Sequence, residues 1–341
     1  MKRKSVKRMG VILAVAAVVL TGCGNSAAQS HSDSDTNITA EVSKTPSEGL
    51  QKYEARKVQE TSDPVFTAED IRRLAVKKGG KDLYSIEYIP EENRDSYEYW
   101  RMRIPYEDTV LVNTEEMLKL YEILESMKFE AVEAGETGIE SSSTEIEVEF
   151  CQPSESEENE AHPVYADTIF TLLIGAEDGQ GNYYTALKSD PNKIFLMNKN
   201  LIDSIVLAEP FSMILKVASV VPIGTVQQIN ISVDGKEHVM EKKDDSYRFD
   251  GKTLEQKEYQ QLYQELQSVL LEQELPSDAK LQDAESELKL EFIRNVGNLS
   301  DVTVEYLSYN EEYDVLRVNG TENFIVKKAD VDNLKEIISK Q

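Results

Sequence analysis

Apolar residues recur along this chain with two periods, and the switches between them mark out its elements. Met117, Leu120, Tyr121, Leu124 and Met127 fall at helical spacing behind Asn113-Thr114-Glu115-Glu116, a capping-box pattern that predicts a long helix over Asn113–Lys128. A second stripe of Tyr259, Leu262, Tyr263, Leu266, Val269 and Leu270 follows another capping box at Thr253–Gln256 and predicts a helix over Thr253–Leu271. Alternating, β-branched or aromatic runs predict strands at Leu83–Ile89, Tyr97–Pro105, Thr144–Phe150, Thr168–Gly175, Tyr183–Leu187 and Lys193–Asn198. Asp178-Gly179 and Gly181-Asn182 punctuate this group as the turns of an antiparallel meander. Thr67-Ala68-Glu69-Asp70, followed by Ile71, Leu74 and Ala75, reads as a short capped helix.

The second half runs through the same series. Val226–Val233 is a predicted strand broken at the Asp234-Gly235 turn, and Tyr247–Gly251 parallels the Trp100 strand. Further strands are predicted at Glu287–Ile293, Val302–Tyr309, Tyr313–Val318 and Asn323–Lys328. Short helices close the halves, around Leu201–Val206 and from Asp330. Elements of one kind, in one order, align at an offset of about 140 residues at the long helices and about 130 at the closing ones. The expected fold class is therefore α+β: an internally duplicated unit of mainly antiparallel sheets, each packed by one long amphipathic helix. The acidic insertion Ser154–Ala161 accounts for the drift, and Val220-Val221-Pro222-Ile223-Gly224 is the natural boundary between copies.

Ahead of both copies, Val11 to Leu20 is unbroken Val, Ile, Leu and Ala, preceded by Lys2, Arg3, Lys4, Lys7 and Arg8. A basic segment and a short apolar run make a secretory leader rather than a membrane span. It ends in Leu20-Thr21-Gly22-Cys23, which resembles the lipobox of bacterial lipoproteins. The resemblance implies that Cys23 carries a diacylglyceryl group and becomes the mature N-terminus. The expected organisation is a leader at 1–22, a polar tether at 23–62, a first repeat at 63–221 and a second at 222–341. The expected home is the extracytoplasmic face of a bacterial cell membrane, of the Gram-positive kind.

Charge narrows the partners. The net charge of −26 falls to −31 once the five leader cations are gone, so a polyanion such as nucleic acid is repelled. The acids are spread through the periodic segments as a solvated surface. Of two cysteines, lipidation takes Cys23, and Cys151 at the end of the Thr144–Phe150 strand reads as a packed thiol. His31, His162 and His238 lack metal-ligand spacing. No Gly-x-Ser-x-Gly elbow, phosphate loop or dinucleotide fingerprint occurs. Lys242-Lys243-Asp244-Asp245-Ser246 lacks the Gly and distal Glu of a calcium loop and reads as a turn. Tyr84, Tyr88, Tyr97, Tyr99, Tyr106, Tyr183 and Tyr184 serve either a recognition face or strand packing. The expectation is no cofactor, no metal and no catalytic residue.

Several features together resemble the bacterial domain of unknown function 4340 family over most of Leu83–Leu275. They are Tyr99-Trp100 with a proline shortly after, the capped helix Asn113–Lys128, and the strand Leu172-Leu173-Ile174-Gly175. Asn182-Tyr183-Tyr184-Thr185, Lys193-Ile194-Phe195-Leu196-Met197 and Val226–Ile231 complete the set. Members of that family are commonly envelope proteins encoded beside ABC transporters of the gliding-motility auxiliary type. The resemblance implies a non-enzymatic accessory of an ABC-type transport system, with transporter subunits as partners. A lipoprotein that binds an envelope solute or cell-wall polymer is the alternative, and a hydrolase comes third.

Overall fold

Where apolar and polar residues alternate, the chain is strand. On Thr144–Pro153, Ile146, Val148 and Phe150 are buried, while Glu145 and Glu147 on the opposite face meet Lys188, Arg73 and Lys77. One apolar and one polar face is what an antiparallel sheet covered on a single side requires. The computed structural model describes residues 59–89, 100–106, 110–153, 165–279, 281, 286–295 and 300–341. The leader, the lipobox, almost all of the tether, the acidic insertion, Tyr97 and Tyr99 lie outside the described residues. All described residues belong to one unit, Thr45–Gln341.

The first series comprises β1 (Gln59–Glu60), β2 (Ile71–Lys78), β3 (Lys81–Tyr88), β4 (Trp100–Ile104), α1 (Thr114–Glu125) and β5 (Ala131–Val132). It continues through β6 (Thr144–Pro153), β7 (Tyr165–Glu177), β8 (Asn182–Leu187), β9 (Asp190–Asn198), α2 (Lys199–Val206) and the one-turn α3 (Pro210–Met213). The second comprises β10 (Val226–Val233), β11 (Lys236–Lys243), β12 (Ser246–Phe249), β13 (Lys252–Leu254), α4 (Gln256–Glu265) and β14 (Leu271–Glu274). It closes with β15 (Ser286–Arg294), β16 (Val302–Ser308), β17 (Tyr313–Val318), β18 (Thr321–Lys327) and α5 (Lys328–Ser339). One sheet has the order β4-β3-β2-β6-β7-β8-β9-β5, and the other β13-β12-β11-β10-β15-β16-β17-β18-β14. Apart from β13, the second order is the first with each strand replaced by its counterpart. Every named pairing is antiparallel except β1, which lies parallel to β7.

The helix-packed α+β expectation is overturned. Among the described residues strand makes up 49 % and helix 22 %, in two large sheets and five short helices. Both long helices are shorter than their apolar stripes. The first ends at Glu125, where Ser126 Oγ donates to the Ile123 carbonyl and closes the last turn. The second ends at Glu265; Leu266 caps it, and Val269 and Leu271 leave the helix to pair with another segment. The short helix expected at Thr67–Ala75 is also corrected. Thr67 and Asp70 do form a capping box, but only around a three-residue turn, and Ile71–Lys78 is strand. Ile71, Leu74, Ala75 and Val76 are all buried: a register shift between Ile71 and Arg73 brings Ile71 into the same core cluster as Leu74 and Val76, while Ala75 lies between Arg73 and Lys77 on the polar face. The shift and the buried alanine break the alternation and leave spacings of three and four that imitate a helix.

One apolar cluster links both sheets and the helices, from Ile71 to Ile338. It contains Met117, Leu120, Tyr121 and Leu124 of α1 and Tyr259, Leu262 and Tyr263 of α4. The buried Tyr84 hydroxyl donates to the Ile205 carbonyl at 2.8 Å, tying β3 to α2. A satellite cluster of Ile139, Ala186 and Ile194 lies apart from this core. Beside it the chain passes so close to β7 that a Cβ on Gly175 would stand 2.3 Å from the Thr137 carbonyl oxygen. That same carbonyl accepts the Ala176 N–H at 2.8 Å, so the close approach is part of the backbone bonding.

Candidate functional site

The segment between α3 and the Pro222 boundary is apolar and extended, and it joins the two sheets edge to edge. Beyond β4, Met102 N–H donates to the Val110 carbonyl at 2.9 Å and Val112 N–H to the Trp100 carbonyl at 2.8 Å. On the other side of this short strand, Leu215 N–H donates to the Leu111 carbonyl at 2.9 Å. Residues 216 and 218 then turn to the second sheet: Ala218 N–H reaches the Val269 carbonyl at 2.9 Å, and Leu271 N–H reaches the Lys216 carbonyl at 3.2 Å. Leu271 begins β14, which pairs with β18. Backbone hydrogen bonds therefore lead from β4 through Val110–Val112, Ile214–Ala218 and Val269–Leu271 into the second sheet.

Side chains reinforce this seam. Tyr106, just past β4, donates its hydroxyl to Glu274 Oε1 at 2.5 Å, and its ring sits 4.9 Å from that of Phe324. Burial first, and the Glu274 carboxylate second, hold the Tyr106 hydroxyl far above the ordinary tyrosine range. Asn323 Nδ2 donates to the Tyr106 carbonyl at 3.1 Å. Lys216 lies against the Phe211 ring and donates to the Phe211 carbonyl; burial lowers its pKa to about 8, with Glu274 pulling the other way. Farther along, Tyr263 Oη donates to the Val221 carbonyl at 2.7 Å, and Gln267 bonds both backbone groups of Val221.

A cleft of about 40 Å³ opens in the seam. Leu215, Val217, Val220, Leu271 and Val318 give it aliphatic walls, and no charged side chain among the described residues lines it. Ser219 lines it too, but its hydroxyl is sealed from solvent and has no hydrogen-bond partner among the described residues. Val220 is 47 % exposed, and so is Leu270 at 53 %, which faces Val217 across a backbone bridge. Val220 and Leu270 thus place two exposed aliphatic side chains close to the cleft, as Val65 and Leu207 stand exposed elsewhere on the surface.

A different chemistry recurs at the start of each closing helix. Lys199, first in α2, bonds Glu177, Tyr183 and Asp203; chiefly through Glu177, it is held well above the ordinary lysine range. Lys328, first in α5, occupies the counterpart position and bonds Glu287 of β15 and Asp314 of β17. Lys335 joins Glu287 and Asp234 to the same network. Asp314 is fully buried and its Oδ2 has no hydrogen-bond partner among the described residues; burial pushes its carboxyl up. Beside this network lies an open polar groove of about 490 Å³, lined by Glu311, Glu312, Tyr313, Lys327, Lys328 and Asp332 among others.

The lipidation residues Leu20, Thr21, Gly22 and Cys23 lie outside the described residues, as do His31 and His162. Cys151 sits half-buried on β6. His238 Nδ1 meets Asp250 Oδ2 at 2.7 Å and its ring stacks on Phe249. Lys242–Ser246 is the β11–β12 turn, with Asp244 at positive φ. Of the tyrosines among the described residues, Tyr84 and Tyr106 are buried, Tyr88 lies 5.5 Å from Trp100, Tyr184 packs on the satellite cluster and Tyr183 belongs to the Lys199 network. Among the described residues no three His, Cys, Asp or Glu side chains gather as a metal site. Sequence reasoning missed the seam strand and both lysine networks. The lysines had a signal, since Lys199 with Asp203 and Lys328 with Asp332 repeat at the offset of the closing helices. No family model matches the chain, and neither a curated protein nor a solved structure matches it.

Proposed function

We propose that this chain is a membrane-anchored extracytoplasmic lipoprotein that serves as a non-enzymatic accessory of an ABC-type transport system. The observation that carries the reading is the seam: an uncharged cleft flanked by exposed Val220 and Leu270, braced by both sheets. A rigid aliphatic patch in an acidic surface suits a protein partner, because apolar burial drives association without ion pairing. The lipobox at Cys23, the polar tether and the likeness to the domain of unknown function 4340 family support the same reading. Two acyl chains hold a protein on a bilayer where one does not, so a partner in that membrane meets it at raised effective concentration. The anchor is tested by fractionation. Cys23→Ala releases the protein to the medium or leaves it unprocessed, whereas a mature-sized mutant that stays with membranes contradicts the lipobox.

The groove beside Lys328 favours a second reading, an envelope solute- or polymer-binding lipoprotein, since about 490 Å³ is within the range of small-ligand sites. A rise in melting temperature on adding cell-wall fragments, with no protein partner recovered from solubilised membranes, decides for it. Recovery of transporter subunits without such a rise decides for the accessory role.

A further inference from the structure

We infer that the open edge of β13 is a docking site for one extended aliphatic strand of a partner protein. This rests on the accessory reading above and names a contact apart from the seam cleft. The first series shows what such an edge takes. Met117, Leu120, Tyr121 and Leu124 of α1 align residue for residue with Tyr259, Leu262, Tyr263 and Leu266 of α4 and its cap. The same alignment sets Val110–Val112, ahead of α1, on Lys252–Leu254, which is β13, ahead of α4. Both lie along the counterpart strands β4 and β12, with Leu111 opposite Arg101 and Thr253 opposite Arg248. On its other side Val110–Val112 carries a further strand: Leu215 N–H donates to the Leu111 carbonyl at 2.9 Å, and Asn113 N–H to the Met213 carbonyl at 2.8 Å. Among the described residues β13 has no such strand and stands at the end of its sheet.

Turn geometry aims the edge outward. Asp250 and Gly251, both at positive φ, form a two-residue I′ turn, so the closing pair of Phe249 and Lys252 exchanges hydrogen bonds. The next pair along is of the non-bonded kind, which points the N–H and carbonyl of Thr253 away from β12. Neither group bonds another described residue, and an unpaired N–H and carbonyl on an edge are a template for a strand. Glu255 N–H, the counterpart of that of Asn113, is already held by Glu258 Oε2 at 3.0 Å, so the open groups are those of Thr253. Side chains set the occupant's chemistry. Val112 is buried opposite Ile214, itself buried, whereas Leu254 at the Val112 position is only half-buried. An aliphatic residue opposite Leu254 covers it as Ile214 covers Val112. A second copy of this chain is the poorer occupant, because a net charge of −26 repels its like. Main-chain pairing at Thr253 gives direction, and the Leu254 contact gives selectivity.

The test titrates the full mature chain with a capped peptide, acetyl-Met-Ile-Leu-Lys-Val-Ala-amide, which has the sequence of Met213–Ala218. Backbone-amide NMR shifts are read. Saturable shifts at Thr253 and Leu254 support the docking edge. N-methylation of the peptide's leucine removes the N–H that the Thr253 carbonyl accepts, and weakens binding about two- to tenfold, the worth of one hydrogen bond. Thr253→Pro blocks the same edge without taking a bond from β12, so melting stays unchanged and the shifts disappear. No saturable shift up to the solubility of the peptide, equal binding of the methylated peptide, or shifts at Leu111 instead overturn the inference. So does a dimer in sedimentation that Thr253→Pro dissociates, because a second copy then fills the edge. Transporter capture is scored separately. Capture of subunits that survives Thr253→Pro leaves the accessory role standing and removes the edge from it. Peptide binding without any captured subunit keeps the edge and removes the accessory role.

Discussion

The Tyr106 hydroxyl donates to Glu274 Oε1 at 2.5 Å, and that bond reaches from the end of β4 in one sheet to β14 in the other. A phenol packed against Phe324 has its polar end satisfied by a carboxylate at the surface. Tyr106→Phe lowers unfolding stability by about 1–2 kcal/mol, the worth of a hydrogen bond to a charged acceptor that water partly screens. Glu274→Gln keeps an acceptor and costs less. Urea unfolding of both variants checks this; equal losses, or none, mean that the hydroxyl does not fasten the seam.

Leu266 and Leu270 separate the observed chain path from a continuous helix. Leu266 is buried at the helix cap, whereas Leu270 is half-exposed in the seam. Leu266→Ala costs about 2–5 kcal/mol and Leu270→Ala costs near zero. Similar large losses at both positions would restore the long amphipathic stripe.

Gly175→Ala puts a Cβ against the Thr137 carbonyl, with the Tyr184 carbonyl and Ile139 also near, so backbone has to move. Overpacking of this kind costs about 1–3 kcal/mol. Gly135→Ala, where the new Cβ meets nothing within 4 Å, is neutral or mildly stabilising. Melting curves for the pair test whether the close approach exists in solution.

The carboxyls around Lys328 predict opposite pH responses. Burial raises Asp314, so its folded state holds a proton more readily than the unfolded chain. Its contribution to stability is full below the ordinary aspartate value and is lost as pH rises through the raised one. Burial also pushes Glu287 up, but Lys328 and Lys335 outweigh it and leave that carboxyl lowered, so its contribution is lost as pH falls through its folded value. The stability of the wild type relative to Asp314→Asn therefore grows as pH is lowered from neutrality toward the ordinary aspartate range. The wild type relative to Glu287→Gln loses its advantage at the acidic end of that titration. Urea titrations across the range read both slopes, and parallel wild-type and Asp314→Asn curves would contradict the assignment.

Legibility in the sequence followed burial on one face. Strands β6 and β15, and β10 from Ile229 on, keep alternation because their outer faces carry polar side chains that pair with one another, as at Glu145 with Lys188 and Asn230 with Glu291. β2 hid because a register shift after Ile71 and the buried Ala75 break its alternation. The Val269–Leu271 turn hid because its apolar residues continue the α4 period while bonding to Lys216 and Ala218. The seam was the least legible part. Ile214–Ala218 reads as a connection between a proline-led helix and Pro222, and its partners Leu111 and Val269 lie far away in the chain. The empty-handed hydroxyl of Ser219 has no signature in residue type, since only the packed lining denies it a partner.

Crosslinking in intact membranes, followed by identification of what is captured, tests the accessory role most directly. The account predicts that the wild-type chain captures the membrane or nucleotide-binding subunits of an ABC-type transporter, and that Cys23→Ala abolishes the capture. Capture of no such subunit by the wild type, or an identical yield from Cys23→Ala, would contradict it.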